Sequence, residues 1–217
     1  MGSDQPNHAD ALTLAELLCA RICHDLAGPV GATAAGAELF QDLGGGDPET
    51  LAMVSTSAAG ASSRLRLLRA ALGPAASSPQ TLSALRTMAE AHLNSLASTA
   101  APAIACRWSD CPDEIDGPRA RLLLNLMLLG RDALPRGGAM DFAMIDGWPA
   151  LIARGEPAAL ADDVKATLLT DTAPTGAKTA QAALTRMLAE GMGGRISVSV
   201  TARGLRLAAE ACALGTI

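Results

Sequence analysis

The sequence predicts an α plus α/β chain: a helical hairpin that pairs with a second copy into a dimeric four-helix bundle, followed by an α/β two-layer sandwich. Three observations predict it. Bulky apolar residues recur every four positions from Leu14 through Leu18, Ile22 and Leu26 to Val30. A 3-4 seam then runs over three heptads from Leu51 to Leu72, and after a Pro/Ser-rich stretch the pattern switches to helices alternating with strands.

Residues 1–10 read as a flexible polar tail, 11–74 as the helical hairpin and 79–217 as the α/β domain. The first helix is predicted over Leu12 to Leu43, with one face buried. Gly44-Gly45-Gly46 breaks it, and Asp47-Pro48-Glu49 restarts a helix: a carboxylate N-cap, proline at the first helical position and an acid in the first turn. The second helix carries Leu51, Val54, Ala58, Ala61, Leu65, Leu68 and Leu72 as its seam. Two such helices cannot fully cover one another's stripes, so two hairpins are expected to pair, giving a homodimer. Gly73 to Pro79 is the linker. Beyond it the pattern predicts a helix near Pro79 to Leu96, a strand near Ile104 to Trp108 and a helix from Pro118 to Leu134. Strands follow near Ala139 to Ile145 and Ala150 to Arg154, then a helix near Thr179 to Ala189. A closing hairpin, Arg195 to Thr201 and Leu205 to Ala211, turns at Arg203-Gly204. Helices mixed with an antiparallel sheet make the sandwich.

At 217 residues the chain is one large domain or two small ones. Hydrophobic residues reach 49% but aromatics only 2%, with no tyrosine, so the core is built from Leu, Ala, Val and Met, and base-stacking platforms are excluded. A net charge of −5 is the wrong sign for a generic polyanion binder, so neither nucleic acid nor membrane is an expected partner. Lys165 and Lys178 are the only lysines. The five cysteines are odd in number and scattered, with no C-x-x-C pair, as in reduced cytoplasmic proteins. No apolar run reaches the roughly 20 residues that cross a bilayer. Met1 to Asp10 is polar rather than signal-like, and Pro6 spoils a myristoylation pattern.

His24 sits in the most suggestive chemical setting. At about 100° per residue it points away from the Leu18/Ile22/Leu26 stripe, beside Ala20, Ala27 and Gly28, so its ring stands clear of the helix and a second protein can approach it. Asp25 follows directly. Pro29 deletes the amide that would bond the Asp25 carbonyl, which predicts a kinked or loosened helix there. An imidazole with an ordinary pKa of roughly 6.5 offers a nucleophilic nitrogen at neutral pH while an adjacent acid orients the other. An ordinary surface histidine is the alternative that spacing alone allows.

The run Leu17-Leu18-Cys19-Ala20-Arg21-Ile22-Cys23-His24-Asp25-Leu26-Ala27-Gly28-Pro29-Val30-Gly31-Ala32 resembles the phosphoacceptor box of histidine kinases, and more closely the start of ChpT-type histidine phosphotransferases of alphaproteobacteria. The resemblance implies that His24 is the phosphorylated residue and Asp25 the acid that orients it. It also implies a receiver domain of a CckA-like hybrid histidine kinase upstream and response regulators of the CtrA and CpdR kind downstream, with Mg²⁺ supplied by the receiver and no cofactor of the chain's own. Arg21, one turn earlier, is either a fork on phosphoryl oxygens or a solvated surface charge. In an antiparallel hairpin Arg64, Arg66 and Arg69 fall level with His24. They either add positive potential around a phosphoryl group or simply complement a helix C-terminus. Leu14 and Leu17, with the face from Ala61 to Leu68, are candidate docking positions for a receiver.

Arg121-Leu122-Leu123-Leu124-Asn125-Leu126-Met127-Leu128-Leu129-Gly130-Arg131-Asp132-Ala133 is similar to the N-box helix of the GHKL ATP-binding domains, which makes the second domain a degenerate GHKL (Bergerat-like) α/β domain. In that register Leu129 replaces the asparagine that binds Mg²⁺ and phosphate, and Gly130 replaces an alanine. Leucine offers no ligand to a hard cation, and the glycine boxes of an ATP site are missing. Met187 to Val198 resembles the helix-to-strand turn of the same fold.

Other signals are read plainly. Cys19 and Cys23 are bystanders rather than metal ligands. His92 is a helix-surface histidine. Met140, Met144, Met187 and Met192 are core fillers, and Trp108 and Trp148 anchor sheet packing. The function expected is a histidine phosphotransferase that shuttles a phosphoryl group between receiver aspartates through His24. The alternatives are an ATP-dependent histidine kinase and a non-catalytic dimeric scaffold.

Overall fold

The structure, a computed structural model, describes residues 8–97 and 102–212. Helices α1 (His8–Asp42) and α2 (Pro48–Leu72) form an antiparallel hairpin. The turn between them uses Gly44 and Gly45 at φ of +77° and +75°, a left-handed geometry that glycine adopts without strain. Asp47 caps α2 by accepting from the Thr50 amide at 2.9 Å, and Pro48 follows in the first turn. The helices approach closely at Gly36, where a Cβ would lie 2.8 Å from Val54 Cγ2. Helix α1 remains helical through Pro29.

The rest of the chain adds β1 (Gln80–Thr81), α3 (Leu82–Leu96), β2 (Ile104–Trp108), β3 (Glu114–Ile115) and α4 (Gly117–Asp132). It continues with β4 (Gly138–Ile145), β5 (Trp148–Arg154), α5 (Asp162–Leu169), α6 (Ala177–Glu190), β6 (Gly194–Thr201) and β7 (Gly204–Ala211). Five strands form one sheet in the order β2-β4-β5-β7-β6, and β1 pairs with β3 apart from it. The sheet is not wholly antiparallel as expected: β2 and β4 pair in parallel, because the chain crosses between them through α4. Neither the short β1–β3 pair nor the eight-residue α5 follows from the sequence pattern, since each is too short to show a period.

Helix α4 organises the packing. Nearly every residue from Leu122 to Gly130 is buried, which is why this stretch reads as a continuous apolar run rather than a stripe. Gly130 is dictated by space: a Cβ there would meet Leu151 Cδ2 at 2.3 Å and Met140 Sδ at 3.2 Å. Trp108 stacks on Phe142 with ring centroids 4.1 Å apart, and buried Trp148 lies beneath the Arg119 guanidinium. Met140 is fully buried, but Met187 is exposed, contrary to its reading as a core filler: it lies on the solvent face of α6.

The hydrophobic core does not stop at the 73–79 linker. Leu67, Leu68 and Ala71 of α2 belong to the same cluster as Leu85, Leu93 and the leucines of α4. The last turn of α2 leaves carbonyls without helical donors, and α4 supplies them. Arg121 donates from Nε to the Ala71 oxygen at 3.2 Å and from Nη2 to the Leu72 oxygen at 3.1 Å. Fully buried Asn125 donates to the Ala71 oxygen at 2.7 Å and to the Arg121 oxygen at 2.8 Å, while its own oxygen accepts from Gln181 of α6. Asn125→Leu leaves these groups without their partner, so we expect a loss of about 2–3 kcal/mol in stability. Urea unfolding checks this through a lowered midpoint, and an unchanged midpoint contradicts it.

Candidate functional site

His24 projects from α1 with 87% of its side chain exposed, over the small residues Ala20, Ala27 and Gly28. Asp25 Oδ1 lies 3.2 Å from His24 Nδ1. When Nδ1 carries the proton it donates to this carboxylate and leaves the Nε2 lone pair free. An exposed imidazole with one nitrogen held by an acid is arranged for attack on an electrophile that another molecule brings.

The carbonyl that Pro29 orphans is the Asp25 carbonyl, and α2 satisfies it. Arg64 donates from Nη1 to the Asp25 oxygen at 3.1 Å, from Nη2 to the Ser95 oxygen at 2.8 Å and from Nε to Ser95 Oγ at 3.4 Å. One guanidinium thus joins α1, α2 and the end of α3. Arg64 is therefore turned inward and does not face solvent beside His24, because an unpaired carbonyl beside a proline attracts a donor. Burial lowers its pKa, and the neighbouring Asp25 charge opposes that shift.

Arg21 fits neither of its expected descriptions. Its side chain is 6% exposed, lies 3.8 Å through Nε from Asp25 Oδ2 and donates from Nη2 to Asp132 Oδ2 at 3.2 Å. The hairpin docks against the sandwich here, so a residue one turn from His24 is covered by the end of α4. Arg131 donates to the other Asp132 oxygen at 2.9 Å. Arg66 stays exposed and donates to Ser62 one turn back, and Arg69 is exposed as well. Leu14 and Leu17 are half-buried on α1.

Three guanidinium groups (Arg21, Arg64, Arg131) thus face two carboxylates (Asp25, Asp132), leaving a net positive charge beneath His24. His92 adds none at neutral pH. It is buried, not a surface histidine, because it shares the inward row of α3 with Leu85, Ala89 and Leu93, a spacing legible in the sequence. Burial, with Arg131 and Arg64 nearby, pushes its pKa down to about 4. Ser95 escapes the sequence reading, and Arg131 and Asp132 enter it only within the N-box-like run, not as partners of the His24 region. Only Asp132 carries a local signal: an acid in the last turn of a helix opposes the dipole and implies a partner elsewhere.

The His92 shift gives stability a pH dependence of definite sign. The unfolded chain takes up the proton near the ordinary value of 6.5 and the native state only near 4, so stability present above 6.5 is lost as the pH falls through that window. Between pH 7 and pH 5 the loss comes to about 2 kcal/mol. Chemical denaturation at both pH values, for the native chain and for His92→Leu, tests this: the substitution removes that part of the pH dependence.

Residues 88–204 match the family model described as the histidine phosphotransferase C-terminal domain. Over 214 residues, covering 94% of this chain and 99% of the relative, the sequence is 33% identical to the protein phosphotransferase ChpT of Brucella abortus strain 2308. A bacterial phosphotransferase of known structure superposes with a TM-score of 0.75 at 29% identity, over 92% of this chain and 97% of that one.

Proposed function

The chain belongs to the histidine phosphotransferase family, whose members carry phosphoryl groups in a phosphorelay, and on that premise we propose that His24 is the residue that bears the phosphoryl group. The observation that carries the reading is the exposed His24 imidazole with Asp25 at its Nδ1. In the forward step the Nε2 lone pair attacks the phosphorus of a receiver's phosphoaspartate, the P–O bond to that aspartate breaks and its carboxylate leaves. In the return step the carboxylate of a second receiver attacks phosphorus, the N–P bond breaks and the imidazole leaves with its Nδ1 proton held by Asp25. Mg²⁺ held by the receiver neutralises charge during transfer. The receivers proposed, from the resemblance at the phosphoacceptor box, are that of a CckA-like hybrid kinase and those of CtrA- and CpdR-like regulators.

The net positive charge of Arg21, Arg64 and Arg131 against Asp25 and Asp132 favours an added phosphoryl group above it. Leu14, Leu17 and exposed Arg66 lie on the helices a docked receiver would meet. The second domain is a degenerate GHKL fold on this reading. Leu129 is fully buried in the core, and Asn125 is committed to α2 and α6, which leaves the helix without the side chains that grip a metal-bound triphosphate.

A second copy of the chain is proposed to complete the hairpin as a four-helix bundle. On the predicted seam, Leu51 and Leu65 are 51% and 52% exposed, and on α1 Leu12, Val30 and Leu39 are exposed too, as is Leu43 just past its end. Such stripes face solvent in one hairpin and are sealed by another. Leu65→Asp places a charge in that seam and is expected to convert a dimer into a monomer, as read by light scattering during gel filtration.

Phosphoryl transfer from a radiolabelled receiver domain tests the assignment, run beside labelled ATP with Mg²⁺. Wild type is expected to take acid-labile label from the receiver alone, and His24→Ala, still dimeric, to take none. Label retained by His24→Ala overturns the assignment, and label from ATP makes the protein a kinase.

A further inference from the structure

We propose that Asp132, contributed by the sandwich and not by the hairpin, is a positioning residue of the phosphoacceptor site, acting through Arg21 to hold the Asp25 carboxylate against His24. The inference rests on His24 being the acceptor and extends that reading into the second domain. Each link is a contact: His24 Nδ1 to Asp25 Oδ1 at 3.2 Å, Asp25 Oδ2 to Arg21 Nε at 3.8 Å, and Arg21 Nη2 to Asp132 Oδ2 at 3.2 Å. Asp132 is itself fixed, its second oxygen taken by Arg131, and its side chain is 6% exposed.

Asp132 serves the site and not α4 itself. First, Asp132 is the last residue of α4, where a negative charge opposes the helix dipole, so the helix gains nothing from it. Second, Arg21 is suspended between two carboxylates, and its Nε and Nη1 have no hydrogen-bond partner. An arginine in that position divides its charge, and the share Asp132 takes is withheld from Asp25. Asp25 thereby keeps an oxygen free to accept the Nδ1 proton of His24, which leaves Nε2 nucleophilic. Third, among the described residues the groups packed beside this cluster offer no second anion to substitute. The charged or titratable groups that face this cluster among the described residues are Arg64 from α2, His92 from α3, Arg131 from α4 and, from α6, Lys178, which lines a cavity together with Arg131 and Asp132. All are basic, so without Asp132 the whole positive charge of Arg21 falls on Asp25.

The tautomer of His24 reads this linkage independently of phosphoryl transfer. Nitrogen NMR of the intact protein at pH 8, with His24→Ala to assign the signal, is expected to show the Nδ1–H tautomer in wild type. In Asp132→Asn the Nδ1–H share should fall by roughly half, and transfer from a labelled receiver should slow about tenfold. Asp132→Asn leaves Arg21 buried without a full partner and is open to a folding defect, so Arg21→Met/Asp132→Leu is made beside it, removing both charges while keeping the volume filled.

The double variant is expected to recover wild-type stability and yet transfer as slowly as Asp132→Asn, because Asp25, drawn wholly to Arg21 in the single variant, has no buried arginine to place it in the double. Wild-type transfer in the stable double variant makes the pair a structural tie only and overturns the proposal. So does an unchanged tautomer in Asp132→Asn. If His24 is not the acceptor, label survives His24→Ala whatever the NMR shows, so failure of the parent reading is separable from failure of this one.

Discussion

The geometry around His24 depends on how the last turn of α2 ends. A helix leaves its final carbonyls without donors, and here those of Ala71 and Leu72 run directly into the face of α4, where Arg121 and Asn125 donate to them. This polar capture sits among Leu67, Leu68 and the leucines of α4, where water is excluded. An unpaired carbonyl would be costly there, so the bonds dictate one angle between hairpin and sandwich. Slide the hairpin by one turn and both the capping and the fit of Leu67 and Leu68 are lost together. The linker at 73–79 is therefore a change of direction in the chain and no boundary of the core.

A rigid joint makes the rest of the site possible. Because α2 is held against α3 and α4, Arg64 can reach back to the Asp25 carbonyl that Pro29 leaves free while resting on Ser95. For the same reason Arg21 on α1 meets Asp132 on α4. The proline and the arginine are complementary: one removes a donor from α1, the other returns one from α2. The outcome is a helix continuous through Pro29, with the residue next to His24 tied by both its backbone and its side chain.

In the proposed phosphoryl transfer, this division of labour separates what must move from what must not. The imidazole stands in solvent, free to be covered by a receiver. Its supporting acid is held by buried arginines whose own partners lie on other helices. A net positive charge left by three guanidinium groups and two carboxylates suits a phosphoryl group, while His92, kept neutral by burial, does not add to it at neutral pH.

Read as a string, the chain already contains most of its helices and strands, though not β1, β3 or α5: the four-residue recurrence of α1, the Asp47-Pro48 start of α2 and the strand from Ile104 to Trp108 follow from local periodicity and capping chemistry alone. The candidate acceptor is legible too, since His24, Asp25 and Pro29 lie within six residues of each other. What periodicity cannot convey is which side chain of one helix meets which of another. Arg21 and Asp132 are 111 residues apart, and Arg64 and Ser95 are separated by the end of α2, the linker and nearly all of α3. Those pairs, the inward turn of two arginines expected to face a phosphoryl group, the burial of His92 and the parallel β2–β4 pairing were decided by packing. A long-range ion pair leaves no period in the sequence, and a buried polar residue is recognised only once the elements that cover it have come together.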